Sequence, residues 1–180
     1  CHVTIIHGLK GPSNTITCAD ASGHLAIGEA FRAISRGDAD RAICGGAQSR
    51  INPMGFMRQH FFGRLTTSCN DTPETSVRPF DVSASGSVLG EGGGLLILEE
   101  YEAARARNAN ILCEIVGFGA SQDAYSLTEP DPSGVSYASA IARSLADAGI
   151  APGEVSCLIP CATGQPQHEK AELAGLKKAF

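Results

Sequence analysis

The stretch SNTITCADASGHLAIGEAFRAI, residues 13–34, decides the fold of this sequence. It runs from β-rich residues through a turn of small residues into an amphipathic helix, whose apolar residues recur at three- and four-residue spacing. Gly37 follows this pattern and predicts the end of the helix. A strand that turns sharply into a helix is a common position for a nucleophile. Two candidates lie in this turn, Cys18 and Asp20.

Composition and charge limit the function classes. The chain has 180 residues, of which 43% are hydrophobic and 18% are charged, as in a globular domain with a sizeable core. The net charge is −5 and no run of Lys or Arg occurs, which argues against a nucleic-acid partner. No apolar run is long enough to span a membrane, so we predict no membrane partner.

Cysteine and glycine patterns predict neither metal nor cofactor. No CxxC pair occurs among the seven cysteines, which we interpret as reduced thiols of a cytoplasmic protein. The five histidines show no metal or triad spacing. The glycines of GEGGG, residues 90–94, lead into an apolar strand rather than a helix, which argues against a dinucleotide site.

Strand-like and helix-like segments alternate along the chain, which predicts an α/β fold. The predicted strands are apolar runs at residues 2–8, 13–18, 41–49, 95–98, 110–118 and 154–161. The predicted helices follow Ala21 and cover residues 56–65, 99–107, 133–150 and 168–180. Ser133 or Ser136 is the expected N-cap of the helix at 133–150. The charges of residues 170–178 are expected on a solvated face.

Three long segments carry a resemblance to a known family. They are GPSNTITCADASGHLAIGEAFRAISRGDADRAICGGAQ, RPFDVSASGSVLGEGGGLLILEEYEAARARNANILCEIVGFGASQDAY and ADAGIAPGEVSCLIPCATGQPQHEKAE. In this order they resemble the β-ketoacyl synthases, the thiolase-fold condensing enzymes of fatty acid and polyketide assembly.

The resemblance covers nearly all of the chain and looks like the middle portion of a family member. It implies a thiolase-like fold, in which mixed sheets are covered by helices in αβαβα layers, incomplete in this chain. Residues 1–180 would be part of one ketosynthase-like unit. Residues 1–100 would end its N-terminal half, and residues 101–180 would begin its C-terminal half.

The resemblance also assigns the family's catalytic positions. The family nucleophile is a cysteine in a TACASG-like motif, and ungapped counting places Asp20 at that position and Cys18 two residues earlier. The family's HGTST-P signature matches CATGQP, which places Cys161 at its first histidine. The signature with a lysine and a second histidine would lie beyond Phe180.

Both substitutions disfavour condensation. An aspartate that attacked a thioester would form a reactive mixed anhydride, and a thiol is a weak hydrogen-bond donor for an enolate. We therefore expect no intact catalytic residue. The chain is similar to the chain-length factors of type II polyketide and aryl-polyene systems. Its expected partners are an active ketosynthase subunit, in a heterodimer or homodimer, and an acyl carrier protein.

Three alternatives stay open from sequence alone. Cys18 or Cys161 could serve a divergent but active acyltransferase. The chain could also be a scaffold that inherited only the fold. For Asp20 itself, an N-cap role in the following helix competes with a role as a general base.

Overall fold

The computed structural model describes residues 2–180 in two compact units. The first unit comprises residues 2–48 and 92–118, and the second comprises residues 49–91 and 119–180. The helices are α1 His2–His7, α2 Ser22–Ser35, α3 Pro53–Phe61, α4 Tyr101–Ala106, α5 Val135–Ala148 and α6 Pro166–Ala179. The strands are β1 Arg41–Ser49 and β2 Glu91–Glu99, and short 3₁₀ turns lie at Ala19–Ala21, Pro73–Thr75 and Pro152–Glu154.

Helix α2 confirms the helix that the sequence predicts after Ala21. Its buried positions are Gly28, Ala30 and Ala33. The predicted stop at Gly37 is also confirmed, because this residue adopts φ 76° and its N–H donates to the Ile34 carbonyl at 2.9 Å. The next N–H donates to the Ala33 carbonyl at 2.9 Å, which completes a Schellman motif.

Strands β1 and β2 form an antiparallel pair. Arg41 at the start of β1 contacts Glu99 at the end of β2, and Ser49 at the end of β1 contacts Glu91 at the start of β2. We predicted that β2 starts after a glycine bend, at residue 95, but it starts at Glu91 and contains those glycines. A Cβ on Gly93 would lie 2.8 Å from the Ala47 side chain, so the glycine allows close approach.

Four predicted strands are wrong. Residues 2–7 form helix α1, and the Leu9 N–H donates to the Thr4 carbonyl at 2.9 Å at its end. The prediction failed here because a short apolar run fits a helix as well as a strand. Residues 13–18, 110–118 and 154–161 form no ladder with another described segment. Apolar character alone does not make a strand, since a neighbour must supply the ladder hydrogen bonds.

Helices α5 and α6 pack against each other in the second unit. Gly175 of α6 contacts Tyr137 of α5, where any side chain would clash. Both predicted helices are confirmed, although the N-cap of α5 is Gly134 and not Ser133 or Ser136. Helix α6 starts at Pro166, two residues before the predicted start, because proline fits the first helical position. Helices α3 and α4 overlap the predicted helices at 56–65 and 99–107.

The expectation of a sizeable core is wrong for the described residues. The buried apolar residues are small: Ala30, Ala33, Cys44, Ala104 and Ala171. Large apolar side chains in the unpaired segments are exposed, with Leu112 at 88% and Ile159 at 91%. They are exposed because no described strand lies beside them. Among residues 2–180, no helix has both the length and the apolar character to cross a bilayer.

Candidate functional site

The Asp20 turn, defined here as Ala19–Ala21, leads directly into α2. Ala19 has φ 46°, a left-handed conformation that is uncommon without glycine. The Ser22 hydroxyl accepts from the Cys18 N–H at 2.8 Å and donates to the Ala19 carbonyl at 2.7 Å. These two bonds hold a strained turn of the kind that often occurs at functional sites.

Asp20 is exposed in the middle of this turn, and Cys18 is the exposed residue immediately before it. The N-cap interpretation of Asp20 is wrong, since Ala21 occupies the N-cap position of α2 and makes no side-chain cap bond. The carboxylate still lies within one turn of the start of a 14-residue helix. The positive field of the helix end favours a negative charge there.

The Cys161 loop, defined here as residues 161–165, is held by a buried carboxylate of α6. Glu172, only 8% exposed, accepts from the Cys161 N–H at 2.7 Å and from the Ala162 N–H at 3.4 Å. Ala162 has φ 51°, so this loop also contains a left-handed residue that is not glycine. The Cys161 side chain is exposed.

A second buried carboxylate of α6, that of Glu169, contacts the other end of the loop. Glu169 is 4% exposed and accepts from the Gly164 N–H at 2.7 Å. Its other oxygen accepts from the Phe80 N–H at 2.8 Å. Sequence reasoning missed both acids, and the solvated face expected for residues 170–178 is wrong at Glu172. The available signal was two acids in the first two turns of a helix that follows a glycine-containing loop.

The chemistry of the Asp20 turn and that of the Cys161 loop are each limited by the side chains that they contain. Asp20 and Cys18 belong to the first unit, whereas Cys161 belongs to the second. Within residues 2–180, no group of three or more His, Cys, Asp or Glu side chains is arranged to hold a metal ion. Cys44, in β1, is buried, and burial raises the pKa of its thiol, which suits a structural role.

An ion cluster lies outside the Asp20 turn and the Cys161 loop. The Glu99 carboxylate, with its side chain 7% exposed, accepts from Arg107 Nη2 at 2.6 Å and from Arg41 Nε at 2.8 Å. Arg107 and then Arg41 lower the pKa of Glu99 to about 2. The cluster joins the first residue of β1 to the last residue of β2, so its role is structural.

Two family models match nearly the whole chain. Beta-ketoacyl synthase, N-terminal domain, matches residues 1–104, and Beta-ketoacyl synthase, C-terminal domain, matches residues 112–180. The chain belongs to the β-ketoacyl synthase family. A curated relative, 3-oxoacyl-[acyl-carrier-protein] synthase 2 of Staphylococcus aureus, is 41% identical over 178 residues. The match covers 99% of this chain and 44% of that protein, so the chain spans less than half the length of this ketosynthase.

Solved ketosynthase structures share the fold. One is the complex AntDE:AntF, a type II polyketide synthase acyl-carrier protein with its ketosynthase bound to a hexaketide. It matches 99% of this chain and 44% of that chain, with a TM-score of 0.95 and 28% identity. The ishigamide ketosynthase/chain length factor matches 88% and 37% of the two chains, with a TM-score of 0.78 and 34% identity. The chain therefore has the ketosynthase form of the thiolase-like fold, of which it comprises a part, as expected.

Proposed function

We propose that this chain is part of a ketosynthase-like subunit of fatty acid or polyketide synthesis that does not condense acyl units itself. In this proposal it acts as a chain-length-factor-like partner of an active ketosynthase. The observation that carries the proposal is the strained turn that Ser22 stabilises around Asp20, the residue that we assign to the family's nucleophile position.

The side chain at position 20 determines the chemistry. A ketosynthase needs a thiolate that takes up an acyl group and later releases it to a carbanion. A carboxylate is a weak nucleophile toward a thioester, and its acyl product hydrolyses readily. Asp20 therefore keeps a negative charge at the start of α2 without the reactivity of sulfur.

The side chain at position 161 also disfavours condensation. We assign Cys161 to the position of the family's first histidine, whose imidazole donates to the developing enolate. A thiol donates weakly, so this electrostatic stabilisation is lost. The backbone of the loop remains tightly bound by Glu169 and Glu172. Such a site supports a role in shape and pairing more than a role in turnover.

The similar proteins support the choice of partners. One solved neighbour is a ketosynthase with an acyl-carrier protein, and another is a ketosynthase with a chain length factor. We infer that this subunit pairs with an active ketosynthase and contacts an acyl carrier protein, with no nucleic-acid or membrane partner. We also propose that the protein is cytoplasmic and needs no cofactor; the lack of disulfides among the described cysteines supports the first of these.

The curated relative is named as a synthase, so an active enzyme is the second candidate. The observation that favours it is Cys18, an exposed free thiol immediately before the Asp20 turn. In that case Cys18, rather than Asp20, would carry the acyl group. We infer the same internal division for either candidate, with the N-terminal half ending near residue 100 and the C-terminal half beginning there.

A condensation assay separates the two candidates. The full-length protein is incubated with acyl and malonyl carrier-protein thioesters, alone and after co-expression with the ketosynthase of its own system. We expect no β-ketoacyl product from the protein alone. With the ketosynthase, we expect product whose chain length changes when this subunit is exchanged. Product from the protein alone, abolished by Cys18→Ser, would establish the second candidate instead.

A further inference from the structure

Glu169 connects two segments that are far apart in sequence. One carboxylate oxygen binds the Gly164 N–H at 2.7 Å, and the other binds the Phe80 N–H at 2.8 Å, across 89 positions of sequence. All three residues belong to the second unit. The carboxylate is 4% exposed, so water does not readily replace either bond.

Both residues whose amides Glu169 binds have a positive φ, which is strained at Phe80 but not at a glycine. Phe80 has φ 59°, a left-handed conformation that is an outlier for a bulky side chain, and Gly164 has φ 77°. Such strain persists only where the surroundings hold it. If the backbone at Phe80 relaxed, one oxygen of a buried carboxylate would lose its hydrogen-bond partner, which is strongly unfavourable.

Other contacts of the two segments are close to those of Glu169. The Gly86 N–H donates to the Gly164 carbonyl at 3.1 Å, and a Cβ on Gly164 would lie 2.8 Å from the Gly86 carbonyl. Val77 and Arg78 also lie beside Gly164. The Cys161 loop and the Phe80 turn, defined here as residues 77–81, are therefore packed together around Glu169.

Glu172 provides an internal contrast on the same helix. It is also a buried glutamate, but both of its amide partners, Cys161 and Ala162, lie in the Cys161 loop. Its loss would release one end of that loop. It has no hydrogen bond to the Phe80 turn through which a change could pass directly.

We propose that Glu169 is a positioning residue that makes the Cys161 loop and the Phe80 turn open and close as one unit. A ligand or partner that displaces the Phe80 turn then also changes the backbone around Cys161. The proposal goes beyond the function proposed above and does not depend on whether the subunit condenses acyl groups. It requires only that a buried carboxylate keeps both of its amide partners.

Amide hydrogen exchange tests this coupling in the full-length protein, purified with its partner subunit where one is needed. In Glu169→Ala, we expect peptides of the Cys161 loop and of the Phe80 turn to exchange about tenfold faster, as the loss of hydrogen bonds to a buried carboxylate implies. In Glu172→Ala, which leaves Glu169 intact, we expect faster exchange in the Cys161 loop and also in the Phe80 turn, because Glu169 transmits the opening. Peptides of α5 report global opening and should not change in either variant.

A milder variant covers the case in which Glu169→Ala does not fold. Glu169→Gln replaces one acceptor oxygen with an NH₂ group, which cannot accept from an amide N–H, so only one of the two bonds is lost. We still expect faster exchange in both segments, because they open together. Faster exchange in only one segment, or unchanged exchange in both, would overturn the proposal. Faster exchange of the Cys161 loop alone in Glu172→Ala would overturn it as well.

Discussion

We assign the Asp20 turn and the Cys161 loop to the family's two catalytic positions, and the two segments are stabilised by different contacts. Each contains a left-handed alanine, Ala19 or Ala162. The Asp20 turn is closed by the hydroxyl of Ser22, which lies four residues from Cys18. The Cys161 loop is held by Glu172, 11 residues away and buried. One site therefore keeps its shape through local contacts, and the other depends on helix α6.

Removal of the Glu172 carboxylate on α6 should have the largest effect on stability. Glu172→Ala leaves two backbone amides without their charged acceptor, and we expect a loss of about 3 kcal/mol in the free energy of unfolding. Denaturant unfolding of the full-length protein measures it. The matched control is Glu100→Ala, which removes an exposed acid that accepts from the Ala103 N–H at 2.7 Å. If both variants lose the same free energy, burial is not what distinguishes the Cys161 loop.

A thiol placed at position 20 should react quickly. In Asp20→Cys the thiol sits in the turn that leads into α2, where the helix field favours the thiolate, and we expect iodoacetamide to alkylate it about tenfold faster than Cys18. Peptide mapping after timed labelling gives both rates. Ala21→Cys moves the thiol by one residue and serves as the control. Equal rates at positions 18 and 20 would mean that the turn no longer favours an anion.

The local hold on the Asp20 turn should be weaker than the hold on the Cys161 loop. Ser22→Ala removes the acceptor of the Cys18 N–H and the donor to the Ala19 carbonyl. Because this region is exposed, water replaces part of the loss, and we expect about 1 kcal/mol of destabilisation. Thermal or denaturant unfolding, compared with Ser35→Ala on the same helix, tests this value. A loss as large as that of Glu172→Ala would remove the difference between the two sites.

Acid should act on the first unit through Glu99. Its pKa is lowered from 4.5 to about 2, mainly by the hydrogen bond from Arg107 and then by that from Arg41. A lowered pKa in the folded state means that the stabilisation is present above pH 4.5 and is lost as the pH falls toward 2. Glu99→Gln should flatten the fall in stability across this range. A parallel fall in the wild type and the variant would contradict the assignment.

The parts of the fold that sequence predicts are those with local causes. Helix α2 and its stop at Gly37 follow from periodicity and one left-handed glycine, and both were confirmed. Residues 110–118 and 154–161 are also apolar, but strand formation depends on a neighbouring strand that the described residues do not provide. For the same reason, the exposure of Leu112 and Ile159 could not be inferred from their hydrophobicity.

The candidate site divides in the same way. Counting along the family motif predicts the roles of positions 20 and 161, because counting needs only the order of the residues, and these roles stay a prediction. The carboxylate contacts of Glu169 and Glu172 depend on where α6 docks, and the sequence shows only two acids on a charged helix. The N-cap expectation for Asp20 failed for a local reason, since the 3₁₀ turn at Ala19–Ala21 moves the start of α2 beyond it.

Acyl transfer to the protein shows whether this chain has a nucleophile for thioesters. The full-length wild type and Asp20→Cys are incubated with an acyl carrier-protein thioester, and intact mass and peptide mapping locate any acyl group. We predict that the wild type stays unmodified and that Asp20→Cys gains one acyl group at residue 20. Acylation of the wild type at Cys18 or Cys161 would contradict the claim that this subunit lacks a nucleophile.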